Sequence, residues 1–176
     1  MGTKKIKIVL DTDVIIHFAK GEMLATLPSI LPECQFVVLD IVKNEIKRPL
    51  LTQLERQMQL LGNIQEVAFG DTPEERREFF RLTSKSIGLG RGESACMVYC
   101  LYHHDVVGSS NLKDIKEYCK RNGIAYLTTC DFLWYAWKRG MMTVEEINVF
   151  VKKVTSAESK LPEDFDVEHY MPNTEI

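Results

Sequence analysis

Short apolar runs alternate along the chain with stretches in which apolar residues recur at helical spacing. Five apolar runs of strand length predict β-strands over Ile6 to Leu10, Phe36 to Leu39, Ile64 to Phe69, Val106 to Gly108 and Ile124 to Leu127. The stretches between them predict helices over Asp13 to Lys20, Asp40 to Arg48, the residues after Pro49 through Leu61, Thr72 to Ser86, Glu93 to His103 and Leu112 to Arg121. This alternation predicts an α/β fold, a three-layer sandwich around a mostly parallel central sheet.

Two helix starts carry capping boxes. Thr72 is followed three residues later by Glu75, and Thr143 by Glu146, so each pair satisfies backbone groups at the start of a helix. The predicted helix from Glu93 to His103 is apolar on nearly every side. Such a helix is buried on most of its surface, and we therefore expect it to lie centrally in the fold.

The chain has 176 residues, of which 45% are hydrophobic, which is enough for one domain with a sizeable core. We predict one domain over residues 1–155. Residues 156–176 are acidic and weakly patterned. We expect them to form a C-terminal tail that is flexible or depends on a partner.

Composition favours a cytoplasmic protein. The five cysteines are odd in number and form no Cys-x-x-Cys pair, which is typical of reduced thiols. The apolar runs are too short to span a bilayer and no secretory signal segment opens the chain, so we expect no membrane association. The net charge of −3 weighs mildly against a polyanionic substrate, although bound divalent cations would reverse the local sign.

Several acids follow the predicted strands. Asp11 comes directly after the first strand, and Asp131 follows the last one. Glu45 lies in the helix after the second strand, while Glu93 and Asp114 lie in first turns of helices. In parallel sheets, ligands bind outside the carboxyl ends of the strands. We therefore expect these acids to lie around one edge of the sheet.

Each acid also has an ordinary structural interpretation. Acids in first helical turns stabilise the helix dipole, which applies to Glu93 and Asp114. Glu45 is compatible with an exposed helix position, and Asp13 with a cap of the first helix. Several carboxylates at one edge repel one another, however, unless hard cations bind between them. Oxygen ligands favour Mg²⁺ or Mn²⁺, which support phosphodiester cleavage.

Four segments together resemble a known family. They are "KIVLDTDVIIHF", "VVLDIVKNEIK", "GLGRGESACMVYC" and "VVGSSNLKDIKEYCKRNGI", which span residues 7 to about 125. In order and spacing they resemble PIN-domain ribonucleases, of the kind found in VapC-type toxins of prokaryotic toxin–antitoxin pairs. Where many members have an aspartate after the fourth segment's strand, this chain has Ser109, Ser110 and Asn111. Its "NLKDI" resembles the Asn-x-x-Asp-Phe form of other members.

The resemblance implies a PIN-domain-like fold and four catalytic acids, namely Asp11, Glu45, Glu93 and Asp114. Asp11, Glu93 and Asp114 would hold Mg²⁺ or Mn²⁺, Glu45 would complete the site or orient water, and Asp131 is an alternative metal ligand. The implied activity is metal-dependent hydrolysis of RNA. Hydrogen bonds to water or phosphate would come from Ser109, Ser110, Asn111 and Thr129. Contacts to the RNA backbone would come from Arg91, Lys113 and Lys116, although solvated surface is the commoner role of such residues. The implied partners are a cognate antitoxin protein and a second copy of the chain in a homodimer.

Two other functions stay open. A PIN-like domain with an impaired metal site would act as a binding or scaffold module, which the neutral residues Ser110 and Asn111 favour. A haloacid-dehalogenase-like phosphatase also begins with Asp-x-Asp after a strand. That pattern is usually followed by a small residue and then Thr or Val, whereas Val14 and Ile15 follow here, and the later Lys and Asp-Asp motifs are not evident.

Overall fold

The computed structural model describes residues 5–162 and 164–176. Their core is a five-stranded sheet in the order β3-β2-β1-β4-β5, with every neighbouring pair parallel. The strands are β1 (Lys7–Leu10), β2 (Gln35–Leu39), β3 (Ile64–Val67), β4 (Val106–Gly108) and β5 (Tyr126–Leu127). The predicted α/β sandwich with a parallel sheet is confirmed. β1 is central and its residues Ile8, Val9 and Leu10 are fully buried, as expected for a strand covered on both faces.

Nine helices surround this sheet in the described part of the chain. They are α1 (Thr12–Lys20), α2 (Leu27–Ile30), α3 (Asp40–Lys43), α4 (Leu50–Leu60), α5 (Pro73–Leu82), α6 (Arg91–His103), α7 (Leu112–Asn122), α8 (Thr129–Lys138) and α9 (Val144–Ser156). α6 contacts α3, α5 and α7, whereas α8 contacts α1 and α2, and α1 also contacts α9. These two groups of helices form the outer layers of the sandwich.

Most helix predictions are confirmed, including both capping boxes and the burial of α6 from Ser94 to Cys100. The predicted helix from Asp40 to Arg48 is wrong beyond Lys43, where a turn follows. Pro49 explains part of this, because a proline disfavours helical backbone at the residue before it. The helices α2 and α8 were not predicted. None of the described helices is long and apolar enough to cross a membrane.

Three aromatic side chains join the layer formed by α1, α8 and α9. The ring of Phe18 in α1 lies 6.0 Å from that of Phe132 in α8 and 5.1 Å from that of Phe150 in α9, measured between centroids. All three side chains are buried. Buried aromatic pairs at these distances stabilise the packing beyond their burial alone. This contact fixes the position of α1, which follows directly after Asp11.

Candidate active site

An acidic cavity of about 690 Å³ opens at the carboxyl end of β1. This volume is within the range of small-ligand pockets, roughly 300–1,000 Å³. Its acidic wall comes from Asp11, Asp13, Glu45 and Glu93, which lie on three different parts of the fold. The remaining lining residues are Thr12, Ile16, His17, Ser110, Asn111, Glu158, Ser159 and Lys160.

Asp11 lies at the base of the acidic cavity. It follows β1 directly, and its backbone N–H donates to the carbonyl oxygen of Gly108 at the end of β4. Its carboxylate caps α1 by accepting the Thr12 N–H at 2.8 Å, and it also accepts the Ser109 hydroxyl at 3.2 Å. The cap of α1 is therefore Asp11 and not Asp13. The residue is only 3% exposed, which fixes this carboxylate in place.

Asp13 lies beside Asp11 and joins α1 to the segment after β4. One carboxylate oxygen accepts the Val14 N–H at 2.6 Å, and the other accepts the Ser110 N–H at 2.8 Å. Both donors favour the ionised carboxylate. Asp13 was not among the predicted site residues, although it lies in the same cavity as three of them.

Gly92 brings two of the predicted catalytic acids together. A Cβ atom at this position would lie 3.0 Å from both Asp11 Oδ1 and Glu45 Oε2. These two carboxylate oxygens therefore lie within twice that distance of each other. Because any larger side chain would push them apart, the absence of a side chain in the first turn of α6 shapes the acidic cavity. Gly90 has a similar effect, since a Cβ there would overlap Glu93 Oε2.

Asn111 connects the third and fourth predicted acids. Its side-chain amide donates to Glu93 Oε1 at 3.0 Å and to Asp114 Oδ2 at 2.8 Å. Glu93 lines the cavity, whereas Asp114 lies behind Asn111 and does not line it. The structure thus brings Asp11, Glu45 and Glu93 into one cavity and places Asp114 next to it.

Asp131 lies away from the acidic cavity, in the first turn of α8. Its buried carboxylate accepts the N–H and hydroxyl of Thr128 at 2.6 and 2.8 Å. It also accepts the Tyr170 hydroxyl at 3.1 Å and, from Asn173, the backbone N–H at 2.7 Å and the side-chain amide at 2.9 Å. These five donors occupy both oxygens, so Asp131 binds the C-terminal segment and does not face the other acids.

Burial and mutual repulsion raise the pKa values of the cavity acids. Burial raises the pKa of Asp11 well above its usual range, and the charges of Asp13 and Glu93 raise it further. Burial also raises the pKa of Asp13 to about 6. Partial burial and the charge of Glu93 raise the pKa of Glu45, while Arg91 opposes this. Within the described residues, no lysine or arginine forms an ion pair with these carboxylates.

The predicted RNA-binding residues lie outside the acidic cavity. Arg91 is exposed at the start of α6, and its guanidinium lies 5.2 Å from the centre of the Phe79 ring. Together with Glu45 it lines a smaller neighbouring cavity of about 330 Å³. Lys113 and Lys116 are exposed on α7. Among the residues that the structure describes, one lysine lines the acidic cavity, namely Lys160 from the C-terminal segment.

A chain of hydrogen bonds forms another side of the cavity. Ser110 Oγ donates to Thr129 Oγ1 at 2.9 Å, and this hydroxyl lies 2.8 Å from His17 Nδ1. Burial, with a smaller effect of Lys20, lowers the pKa of His17 to about 4, so the imidazole is neutral near pH 7. Of the expected hydrogen-bonding residues, Ser110 and Asn111 line the cavity and Ser109 contacts Asp11 and Asp13. Thr129 does not line it and contacts its lining residues Ser110 and His17 instead.

The donor chemistry of the cavity fits a hard divalent cation. Asp11, Asp13, Glu45 and Glu93 offer carboxylate oxygens, the ligands that Mg²⁺ and Mn²⁺ prefer. In residues 5–162 and 164–176, however, no three His, Cys, Asp or Glu side chains form a ready-made metal-ligand cluster. The fit therefore rests on the type and position of the donors and on the unpaired charge of the acids.

The sequence carried some signal for the residues that were missed. Asp13 belongs to the same Asp-x-Asp as Asp11 and lies in the first turn of the helix that Asp11 caps. His17 follows one helical turn later on that helix. No local pattern, by contrast, indicated that Glu158, Ser159 and Lys160 line the cavity, because their position depends on long-range contacts.

A scan against models of protein families finds no match to this sequence, and a search among curated proteins finds no significant match. The resemblance to PIN-domain ribonucleases therefore remains a prediction.

Proposed function

We propose that this protein is a divalent-metal-dependent ribonuclease that hydrolyses phosphodiester bonds in RNA. The observation that carries the proposal is the acidic cavity, where Asp11, Asp13, Glu45 and Glu93 meet at the carboxyl end of the central strand. Like charges this close, with Asp11 buried, are costly unless a cation binds between them. Proteins keep such arrangements mainly where function requires them.

Of the four catalytic acids that the family resemblance implies, three would bind the metal ion or orient its water. Asp11 and Glu93 would be ligands, and Glu45 would complete the site or orient water. Asp114 would act through Asn111, which contacts both Asp114 and Glu93. A bound Mg²⁺ or Mn²⁺ supplies an activated water and stabilises charge on the phosphate oxygens. We leave Asp131 out of this ligand set, because its oxygens already bind Thr128, Tyr170 and Asn173.

RNA as the substrate and the biological role come from the resemblance alone. Arg91, close to Glu45 at the edge of the cavity, would contact an RNA phosphate, and Lys113 and Lys116 would contact the backbone beyond it. We further propose a cytoplasmic homodimer that acts as the toxin of a toxin–antitoxin pair. Growth arrest on expression that Asp11→Asn abolishes would support the toxin role.

One observation favours a second function, that of a PIN-like binding or scaffold module. The described side chains form no ready-made metal-ligand cluster, and Asp114 does not line the cavity. A module of this kind would bind RNA or protein without cleaving it. The same experiment separates the two functions.

The direct test is cleavage of a mixed pool of single-stranded RNAs by the purified protein with Mn²⁺, Mg²⁺ or EDTA. We expect metal-dependent cleavage that Asp11→Asn lowers by at least about 100-fold. Glu117→Gln is the matched control, because Glu117 is exposed on α7 outside the cavity and this variant should cleave normally. RNA binding without any cleavage would favour the scaffold function. Hydrolysis of p-nitrophenyl phosphate without RNA cleavage would favour the phosphatase.

A further inference from the structure

The segment Ala157–Leu161, which we call the cavity strap, forms one wall of the acidic cavity. Its residues Glu158, Ser159 and Lys160 line the cavity together with the four acids. The strap lies outside residues 7–125, which carry the family resemblance. It therefore adds to the candidate active site something that the resemblance does not provide.

Contacts on both sides of Lys160 hold the strap in place. After α9, Glu158 takes a left-handed backbone conformation with φ of 62°, and Ser159 N–H donates to the carbonyl oxygen of Val154 at 3.2 Å. This turn directs the chain back towards α1. There Lys20 Nζ donates to the Ala157 carbonyl and to Ser159 Oγ, the latter at 2.8 Å. Leu161 is 8% exposed and belongs to the hydrophobic core.

Lys160 brings a positive charge to a cavity that is otherwise acidic. Among the described residues that line it, the only other basic side chain is His17, which is neutral near pH 7. Lys160 is exposed, so its ammonium group is accessible to a ligand entering the cavity. An anionic ligand bound at the acids through a metal ion would share the cavity with this ammonium group.

We propose that Lys160 binds a backbone phosphate of the RNA next to the bond that is cleaved, and that the cavity strap is part of the substrate site. The proposal rests on the ribonuclease function. A lysine contact to phosphate positions the strand without reading its sequence, so Lys160 would contribute affinity and not base specificity. It would be a substrate-binding residue, and the acids would keep the catalytic role.

The test compares Lys160→Ala, Lys160→Arg and the control Lys152→Ala. Lys152 is an exposed lysine of α9 that does not line the cavity, so its variant removes the same charge elsewhere. We expect Lys160→Ala to raise KM for RNA about 10-fold with little change in kcat, as for the loss of one charged phosphate contact. Lys160→Arg should restore most of the affinity, and Lys152→Ala should match the wild type.

A second readout is RNA binding at increasing salt, with Asp11→Asn in every protein to prevent cleavage. Adding Lys160→Ala should weaken binding and reduce the slope of log affinity against log salt by about 0.7, the value for one phosphate of a single strand. A purely structural role would instead lower the melting temperature and leave this slope unchanged, which would overturn the proposal.

The outcomes separate the two proposals. If the wild type cleaves RNA and Lys160→Ala behaves like Lys152→Ala, the role of Lys160 is wrong and the ribonuclease function stands. If the protein binds RNA without cleaving it and Lys160→Ala weakens binding, the phosphate contact stands and the ribonuclease function fails. If the protein neither binds nor cleaves RNA, both proposals are wrong.

Discussion

Asp13 illustrates how the same contacts serve both the local fold and the site chemistry. Its carboxylate accepts backbone N–H groups of Val14 and Ser110, which ties the start of α1 to the segment after β4. The same contacts hold it half-buried beside Asp11, where ionisation is unfavourable. Both carboxylate oxygens of Asp13 thus accept hydrogen bonds, but its negative charge still destabilises the folded protein. An asparagine at this position removes the charge but keeps only one of the two oxygen acceptors, so both effects contribute to its stability.

We predict that Asp13→Asn stabilises the metal-free protein at high pH. With the pKa of Asp13 raised from 3.8 to about 6, the folded state binds a proton between these values that the unfolded state does not. Wild-type stability should therefore rise as pH falls from about 6 towards 4, and the variant should lack this rise. At pH 8 we expect a net gain of about 2 kcal/mol, that is about 3 kcal/mol from the raised pKa less about 1 kcal/mol for the backbone hydrogen bond that the amide NH2 group cannot accept.

The measurement is thermal unfolding of both proteins in EDTA from pH 4 to pH 8. The variant should have the higher melting temperature at pH 8 and should lose this advantage by pH 4, where the charge effect has gone and the missing hydrogen bond remains. A difference that is constant across this range would contradict the prediction, because it would show that Asp13 carries no raised pKa.

At the scale of elements, α6 and α7 end in the same way with different residues. His104 follows α6 with φ of 56°, and Gly123 follows α7 with φ of 65°. The left-handed conformation is strained for a residue with a Cβ and free of strain for glycine. The two helix ends can therefore be compared directly, because Gly123 adopts the left-handed conformation without strain and His104 does not.

We predict that His104→Gly stabilises the protein by about 0.5–1 kcal/mol and that Gly123→Ala destabilises it by about 1 kcal/mol. His104 is exposed, so little packing is lost. A Cβ on Gly123 would meet no atom within 4 Å, so only backbone strain should matter there. Urea unfolding would measure both changes. If both variants shift stability in the same direction, the explanation by backbone strain is wrong.

Elements with a clear hydrophobic pattern are predictable from this sequence, whereas elements without one are not. All five strands were predicted, because buried strands of a parallel sheet are continuous apolar runs. α2 has only four residues, too few to show a helical period. α8 was missed although Thr128 and Asp131 form a capping box at its start. From the sequence, the position of Asp131 after the strand instead favours an alternative metal ligand.

The convergence of three acids was also accessible to sequence reasoning, whereas side-chain direction was not. Asp11, Glu45 and Glu93 lie close together because the parallel sheet brings the carboxyl ends of its strands to one edge. Asp114 and Asp131 lie at the same kind of position in first turns of helices. Their side chains contact Asn111 and the C-terminal segment respectively, and such long-range partners leave no local pattern.

At the scale of the whole molecule, the C-terminal residues 170–176 cover the edge of the sheet at β5. Thr174 Oγ1 donates to the Tyr126 carbonyl at 2.9 Å, and the Tyr135 hydroxyl accepts the N–H of Ile176 at 2.7 Å. Covering an edge strand in this way protects its backbone groups from pairing with other chains. Asp131 anchors the same segment through Tyr170 and Asn173. The segment predicted as a flexible or partner-dependent tail thus contacts the domain along most of its described length.

We predict that Asp131→Asn destabilises the protein by roughly 2–3 kcal/mol. The carboxylate now accepts five hydrogen bonds through its two oxygens. In asparagine an NH2 group replaces one oxygen and cannot accept, so the buried groups that donated to that oxygen lose their partner. The melting temperature should fall by about 4–10 °C for a chain of this length. Glu146→Gln is the matched control, since Glu146 closes the same kind of capping box with Thr143 at an exposed position. It should cost no more than about 0.5 kcal/mol.

The same variant tests whether the C-terminal segment acts as one unit. The cavity strap lines the acidic cavity, and residues 170–176 of the same segment contact Asp131. Weakening the contact with Asp131 should therefore also make the cavity strap more mobile. Limited proteolysis should then cut Asp131→Asn within residues 157–176 faster than it cuts Glu146→Gln, at a temperature where both remain folded. Equal rates of cutting in the two variants would mean that Asp131 stabilises α8 alone and that the cavity strap is held independently by Lys20 and Leu161.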